Sequence, residues 1–138
     1  MNIFEELQKL DLPTDQYMVM GSGILGALGI REIRDIDLLI TKELFEKLKN
    51  SGWNYQVIEI EGRPRQMISK DFAEAYDDFW WKGGTLSPEE GIKIATKVNG
   101  INFLPLKTLA EVKKAMAREK DIADVVLIEN YLKSNPLL

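Results

Sequence analysis

The sequence predicts one α+β domain over residues 1–138, closed by a pair of C-terminal helices, and three observations carry that expectation. Short apolar or alternating runs at Tyr17 to Met20, Ile36 to Ile40, Tyr55 to Glu61 and Ile101 to Leu104 have the length and period of strands. Apolar residues at helical spacing fill the segments between and after them. No repeat or linker divides the chain, whose length suits a single core burying roughly two-thirds of the unfolded surface.

Taken in order, Ile3, Phe4, Leu7 and Leu10 make the apolar face of a first helix that Asp11-Leu12-Pro13 breaks. Tyr17 to Met20 is a buried strand, turned by Gly21-Ser22-Gly23 into a brief helix over Ile24 to Leu28 that Gly29 ends. Ser22 is placed to cap that helix, and the helix-start amides there favour an anion. Ile36 to Ile40 is the second strand. Thr41 then caps a covering helix over Lys42 to Asn50, whose Leu44, Phe45 and Leu48 face inward.

Tyr55 to Glu61 alternates as a half-buried strand, and Gly62-Arg63-Pro64 turns into a strand over Arg65 to Ser69. Phe72 to Tyr76 suits a helix and Tyr76 to Trp81 a strand, and a strand is expected over the second half of the segment. Ser87-Pro88-Glu89-Glu90 is a helix start, kept short by Gly91. Ile92, Ile94, Thr96 and Val98 alternate as a strand that Asn99-Gly100 turns into Ile101 to Leu104. Beyond Pro105, Leu109, Val112 and Met116 face one way in a helix; after a break at Arg118 to Lys120, Ile122, Val125, Ile128 and Leu132 continue in another that Asp121 caps.

Composition removes whole classes of chemistry. With no Cys and no His, the chain has no thiol nucleophile, disulfide, Ser-His-Asp triad or imidazole zinc site. What remains is carboxylate, hydroxyl, amine and oxygen-bound metal chemistry, for which magnesium is the natural ion. Eighteen basic and 22 acidic residues give a net charge of -4, no sign of a long nucleic-acid groove. No apolar run approaches a membrane span, and Met-Asn-Ile-Phe-Glu-Glu lacks the pattern of a signal peptide, so the expected location is cytoplasmic, away from membranes.

Within this frame Asp35 and Asp37 stand out. Two apart in a strand, they project from one face while Ile36 and Leu38 point into a core. Paired carboxylates raise each other's cost of ionising unless a cation lies between them, which makes the pair a metal-site candidate. Arg31 and Arg34, just before, are placed to neutralise the acids or hold a phosphate.

Gly21-Ser22, followed by Asp35-Ile36-Asp37-Leu38, and Lys113 with Arg118-Glu-Lys-Asp121-Ile-Ala-Asp124, together make the sequence resemble the nucleotidyltransferase superfamily built on the DNA polymerase beta palm, in its minimal bacterial form, including members grouped with AbiEii-type toxins. The resemblance implies a nucleotidyltransferase fold with a mixed central sheet flanked by helices. It also implies transfer of a nucleoside monophosphate from a nucleoside triphosphate to a hydroxyl acceptor of unknown identity, by a two-metal mechanism with magnesium. Gly21 and Ser22 are then expected to hold the triphosphate, Lys113 and Arg118 to meet phosphates or acceptor, and Asp35 and Asp37 to bind metal. A third acid on a neighbouring strand completes such a site; Asp77 is the first choice, then Asp78, then Asp71 at a turn. A second expectation is a catalytically inactive domain of the same fold that acts as a binding or regulatory protein, as one half of a toxin–antitoxin pair with a protein partner.

Overall fold

The computed structural model describes residues 1–136. Helix α1 (Ile3–Leu10) starts where the Asn2 side chain accepts from the amides of Phe4 and Glu5, and ends at Asp11 in the left-handed conformation. Strand β1 (Tyr17–Met20) leads through Gly21 into α2 (Gly23–Ala27), and β2 (Ile36–Ile40) leads into α3 (Lys42–Asn50), capped by Thr41 as expected. Next come β3 (Asn54–Ile60), β4 (Arg63–Lys70), β5 (Ala73–Tyr76) and a small hairpin of β6 (Phe79–Trp81) and β7 (Gly84–Leu86). Helix α4 (Pro88–Ile94), strands β8 (Thr96–Val98) and β9 (Ile101–Phe103), then α5 (Leu106–Met116) and α6 (Glu119–Ser134) follow. Among the described residues no helix is long and apolar enough to cross a membrane.

Seven strands form one mixed sheet in the order β3-β4-β5-β2-β1-β9-β8. β1 runs antiparallel to β2 and parallel to β9, and β2 runs parallel to β5. Cross-strand partners share a face, so Val19, Leu38, Ala75 and Ile68 line one side, all of them fully buried. That side carries the main core: a Cβ on Gly23 would collide with Val19 and Ile3, so glycine is what lets α2 and α1 lie against β1. On the opposite side Met18 and Leu39 are covered by α4, whose Gly91 sits against both. Beyond that cover, Met20, Asp37 and Glu74 form a strip across three strands that lines a cleft.

Several elements differ from the sequence reading. Phe72 to Tyr76 looked helical, yet Ala73–Tyr76 is a strand; Ala73 and Ala75 are buried between neighbours, and pairing on both sides outweighs the helix propensity of Ala-Glu-Ala. The following strand is only Phe79–Trp81, separated by a bend at Asp77-Asp78. Ile92 and Ile94 belong to α4, held by a reciprocal cap in which Ser87 Oγ accepts from Glu90 N (3.1 Å) and Glu90 Oε1 accepts from Ser87 N (2.9 Å). The turn before β4 is Glu61-Gly62, not Gly62-Arg63-Pro64, both residues having positive φ. Ser22 makes no capping bond, and α6 is capped from Arg118, with Asp121 three positions inside.

Candidate functional site

This strip floors a cleft of about 860 Å³ between the sheet, the Gly21-Ser22 turn and the inner faces of α5 and α6. Six basic and five acidic side chains line it, an excess of positive charge within a chain whose net charge is -4. Asp37 and Glu74 are register partners on parallel strands, and Asp35 stands exposed just before β2, also on the cleft wall.

Asp37 is pushed up to about 6, first by burial, then by the charges of Glu74 and Asp35; Arg65 and Lys113 pull the other way. Gly21 has φ +56°, and a Cβ there would lie 3.0 Å from Asp37 Oδ2, so glycine at this position lets the turn close over the carboxylate. Glu74 is oriented by Tyr76, whose hydroxyl donates to Glu74 Oε2 at 2.9 Å. Burial first, then that bond, keeps the Tyr76 hydroxyl protonated far above its usual range. Beneath the ring lies the Arg65 guanidinium, 3.7 Å from its centroid, anchored by Asp78 Oδ1 at 2.9 Å.

The opposite wall is an ion-pair chain. Arg31 donates from Nε and Nη2 to the two oxygens of Asp124 (2.7 and 2.8 Å) and from Nη2 to Ser22 Oγ (3.1 Å). Lys113 Nζ lies 2.8 Å from Asp124 Oδ2 and 3.6 Å from Asp121 Oδ1, and Arg118 Nε donates to Asp121 Oδ2 at 2.6 Å. Lys113, Asp121 and Asp124 are all buried. Burial alone would raise both aspartates, but hydrogen bonds from Arg118 to Asp121 and from Arg31 and Lys113 to Asp124 outweigh it and hold them low. The network ties the Gly21-Ser22 turn to α5 and α6.

Of the residues singled out in the sequence, Gly21, Ser22, Asp35, Asp37, Lys113 and Arg118 all line the cleft. Asp77 does not: three residues beyond Glu74, on the opposite face of the chain, it feels Lys42 and Glu46 of α3, and burial first and then Asp78 raise it. Asp78 is engaged by Arg65, and exposed Asp71 occupies a left-handed turn position. The acid adjoining Asp37 is Glu74, which sequence reasoning missed because its segment looked helical. The signal was there in the alternation of Ala73 and Ala75 with Glu74 and Tyr76. Lys113 and Arg118, expected to meet phosphates, direct their charge into Asp121 and Asp124; the lining cations without an ion pair among the described residues are Arg34 and Lys120.

Asp35, Asp37 and Glu74 are oxygen donors, and a cation among them would relieve the repulsion that Glu74 and Asp35 add to burial in raising Asp37, so these three carboxylates fit a hard divalent ion. Among the described residues no three acidic side chains already converge tightly enough to hold a metal. No family model, curated protein or solved structure matches the chain.

Proposed function

We propose that this chain is a magnesium-dependent nucleotidyltransferase: it moves a nucleoside monophosphate from a nucleoside triphosphate to a hydroxyl acceptor. The observation that carries the reading is the in-register pair Asp37 and Glu74 beside the glycine turn at Gly21-Ser22, on the floor of a cleft large enough for a nucleotide. Asp35, Asp37 and Glu74 would hold magnesium, which supplies charge neutralisation on the triphosphate. The turn at Gly21-Ser22 offers amides to phosphate oxygens, and Arg34 and Lys120 add positive charge at the cleft wall. Glu74, fixed by Tyr76, takes the acceptor proton as the acceptor oxygen bonds to the α-phosphorus and pyrophosphate departs.

Isothermal titration with ATP, CTP, GTP and UTP in magnesium tests the reading. Binding of at least one, lost in Asp37→Ala, supports it, and release of pyrophosphate with an acceptor present completes it; no binding of any of the four overturns it. One observation favours a second reading, binding without transfer: the three acids do not converge as a cage. That reading gains if Glu74→Gln leaves nucleotide affinity unchanged and no pyrophosphate is released.

A further inference from the structure

The two outer strands of the sheet are unequal. β8 has three residues, whereas β3 has seven, Asn-Tyr-Gln-Val-Ile-Glu-Ile, without proline, glycine or lysine to blunt it. Tyr55 and Val57 on β3 are 42% and 58% exposed, large apolar side chains at an uncovered edge.

The turn at Glu61-Gly62 determines which backbone groups are free. Two residues at positive φ make Ile60 and Arg63 a hydrogen-bonded pair, and alternation along an antiparallel ladder then directs Ile58 and Gln56 inward to β4. The amides and carbonyls of Tyr55, Val57 and Glu59 therefore point outward. Among the described residues no strand pairs with them.

We propose that this edge binds a second copy of the chain, β3 against β3, antiparallel and centred on Val57, so that two seven-stranded sheets become one. Centring there is the register that pairs all seven residues, Asn54 opposite Ile60 and Tyr55 opposite Glu59, and it sets the three outward residues of each copy against one another as hydrogen-bonded partners. Val57 meets Val57, a favourable β-branched pair, and no like charges oppose.

Charge fits the same register. Lys49 of α3 lies over the Tyr55 ring, Nζ 3.9 Å from its centroid, and neither Lys49 nor Glu59 has an ion-pair partner among the described residues. In the pairing, Glu59 of each copy stands across from the other copy's Tyr55, on the same face and beneath the other copy's Lys49. The edge thus carries both halves of an ion pair that one copy cannot close.

Sedimentation equilibrium of the full chain tests this. The wild type is expected at twice the mass of one chain. Val57→Pro removes an outward amide that β4 does not use, so it is expected to be monomeric with unchanged circular dichroism. Glu59→Lys is expected to weaken dimerisation by about tenfold or more, and Lys49→Glu with Glu59→Lys to restore it. A wild-type monomer at millimolar concentration overturns the proposal, as does a dimer that both Val57→Pro and Glu59→Lys leave intact. If Val57→Pro fails to fold, the charge exchange alone decides: restoration supports the pairing and failure to restore rejects it.

Discussion

Glu74 stands beside Asp37 in register, one strand away on parallel β5, and the two carboxylates rise from the same face of the sheet. Their separation across neighbouring strands is about 5 Å at the backbone, close enough for each charge to oppose the other and for one cation to relieve both. Glu74→Gln is therefore expected to weaken manganese binding at least tenfold, followed by electron paramagnetic resonance, whereas Asp77→Asn changes it by less than about twofold. Equal losses in the two variants would mean that the site extends to the α3 side of the sheet.

The first half of the fold was readable because its signals are local: a Thr41 cap, a glycine turn, apolar runs of strand length. So was the Asn99-Gly100 turn, both residues of which have positive φ. Glu74 was not readable in the same way. Ala73-Glu74-Ala75 becomes a strand only through β2 and β4, which are set by distant parts of the chain. The same holds for Arg31 and Asp124, which pair across 93 positions, and for Lys113 and Arg118, whose motif gave their identity but not the aspartates that absorb their charge.

Asp37 supplies a pH dependence. Its folded pKa, about 6, lies above the ordinary 3.8, so between those values the folded state holds more protons than the unfolded state. Stability from this group is thus greatest below about pH 4 and declines as pH rises through 6. Asp37→Asn should remove the decline and stabilise the fold at pH 8 by roughly 2 kcal/mol, measured by urea unfolding at pH 4 and pH 8. Divalent ion binding should move the opposite way in the wild type, strengthening as pH rises from 5 to 7, because only the ionised carboxylate binds. A stability difference between variant and wild type that is the same at both pH values would contradict the assignment.

The ion-pair chain predicts a coupling. Asp124→Ala leaves buried Lys113 facing Asp121 alone and frees Arg31 from its two-point contact. A loss of about 2–3 kcal/mol is expected, read as a fall in Tm of roughly 6–10 °C. Lys113→Met alone should also destabilise, because Asp124 keeps Arg31 but loses its second partner. The two changes together should cost at least 1 kcal/mol less than their sum, since each removes what the other left unpaired. Additive losses would show that these contacts do not act as a unit.

Gly21 and Gly29 separate backbone strain from site geometry. Both have positive φ, +56° and +70°, where alanine costs about 1 kcal/mol. A Cβ at Gly29 meets nothing within 4 Å, whereas at Gly21 it lies 3.0 Å from Asp37 Oδ2. Gly29→Ala should therefore lose stability and keep manganese affinity. Gly21→Ala should lose a similar amount of stability and, in addition, drive the Asp37 carboxylate off its position, weakening manganese binding severalfold. Calorimetry for the first quantity and electron paramagnetic resonance for the second measure the two effects independently. Equal manganese affinity in the two variants would mean that Asp37 yields without cost, and that the close approach of the turn plays no part in holding the carboxylate.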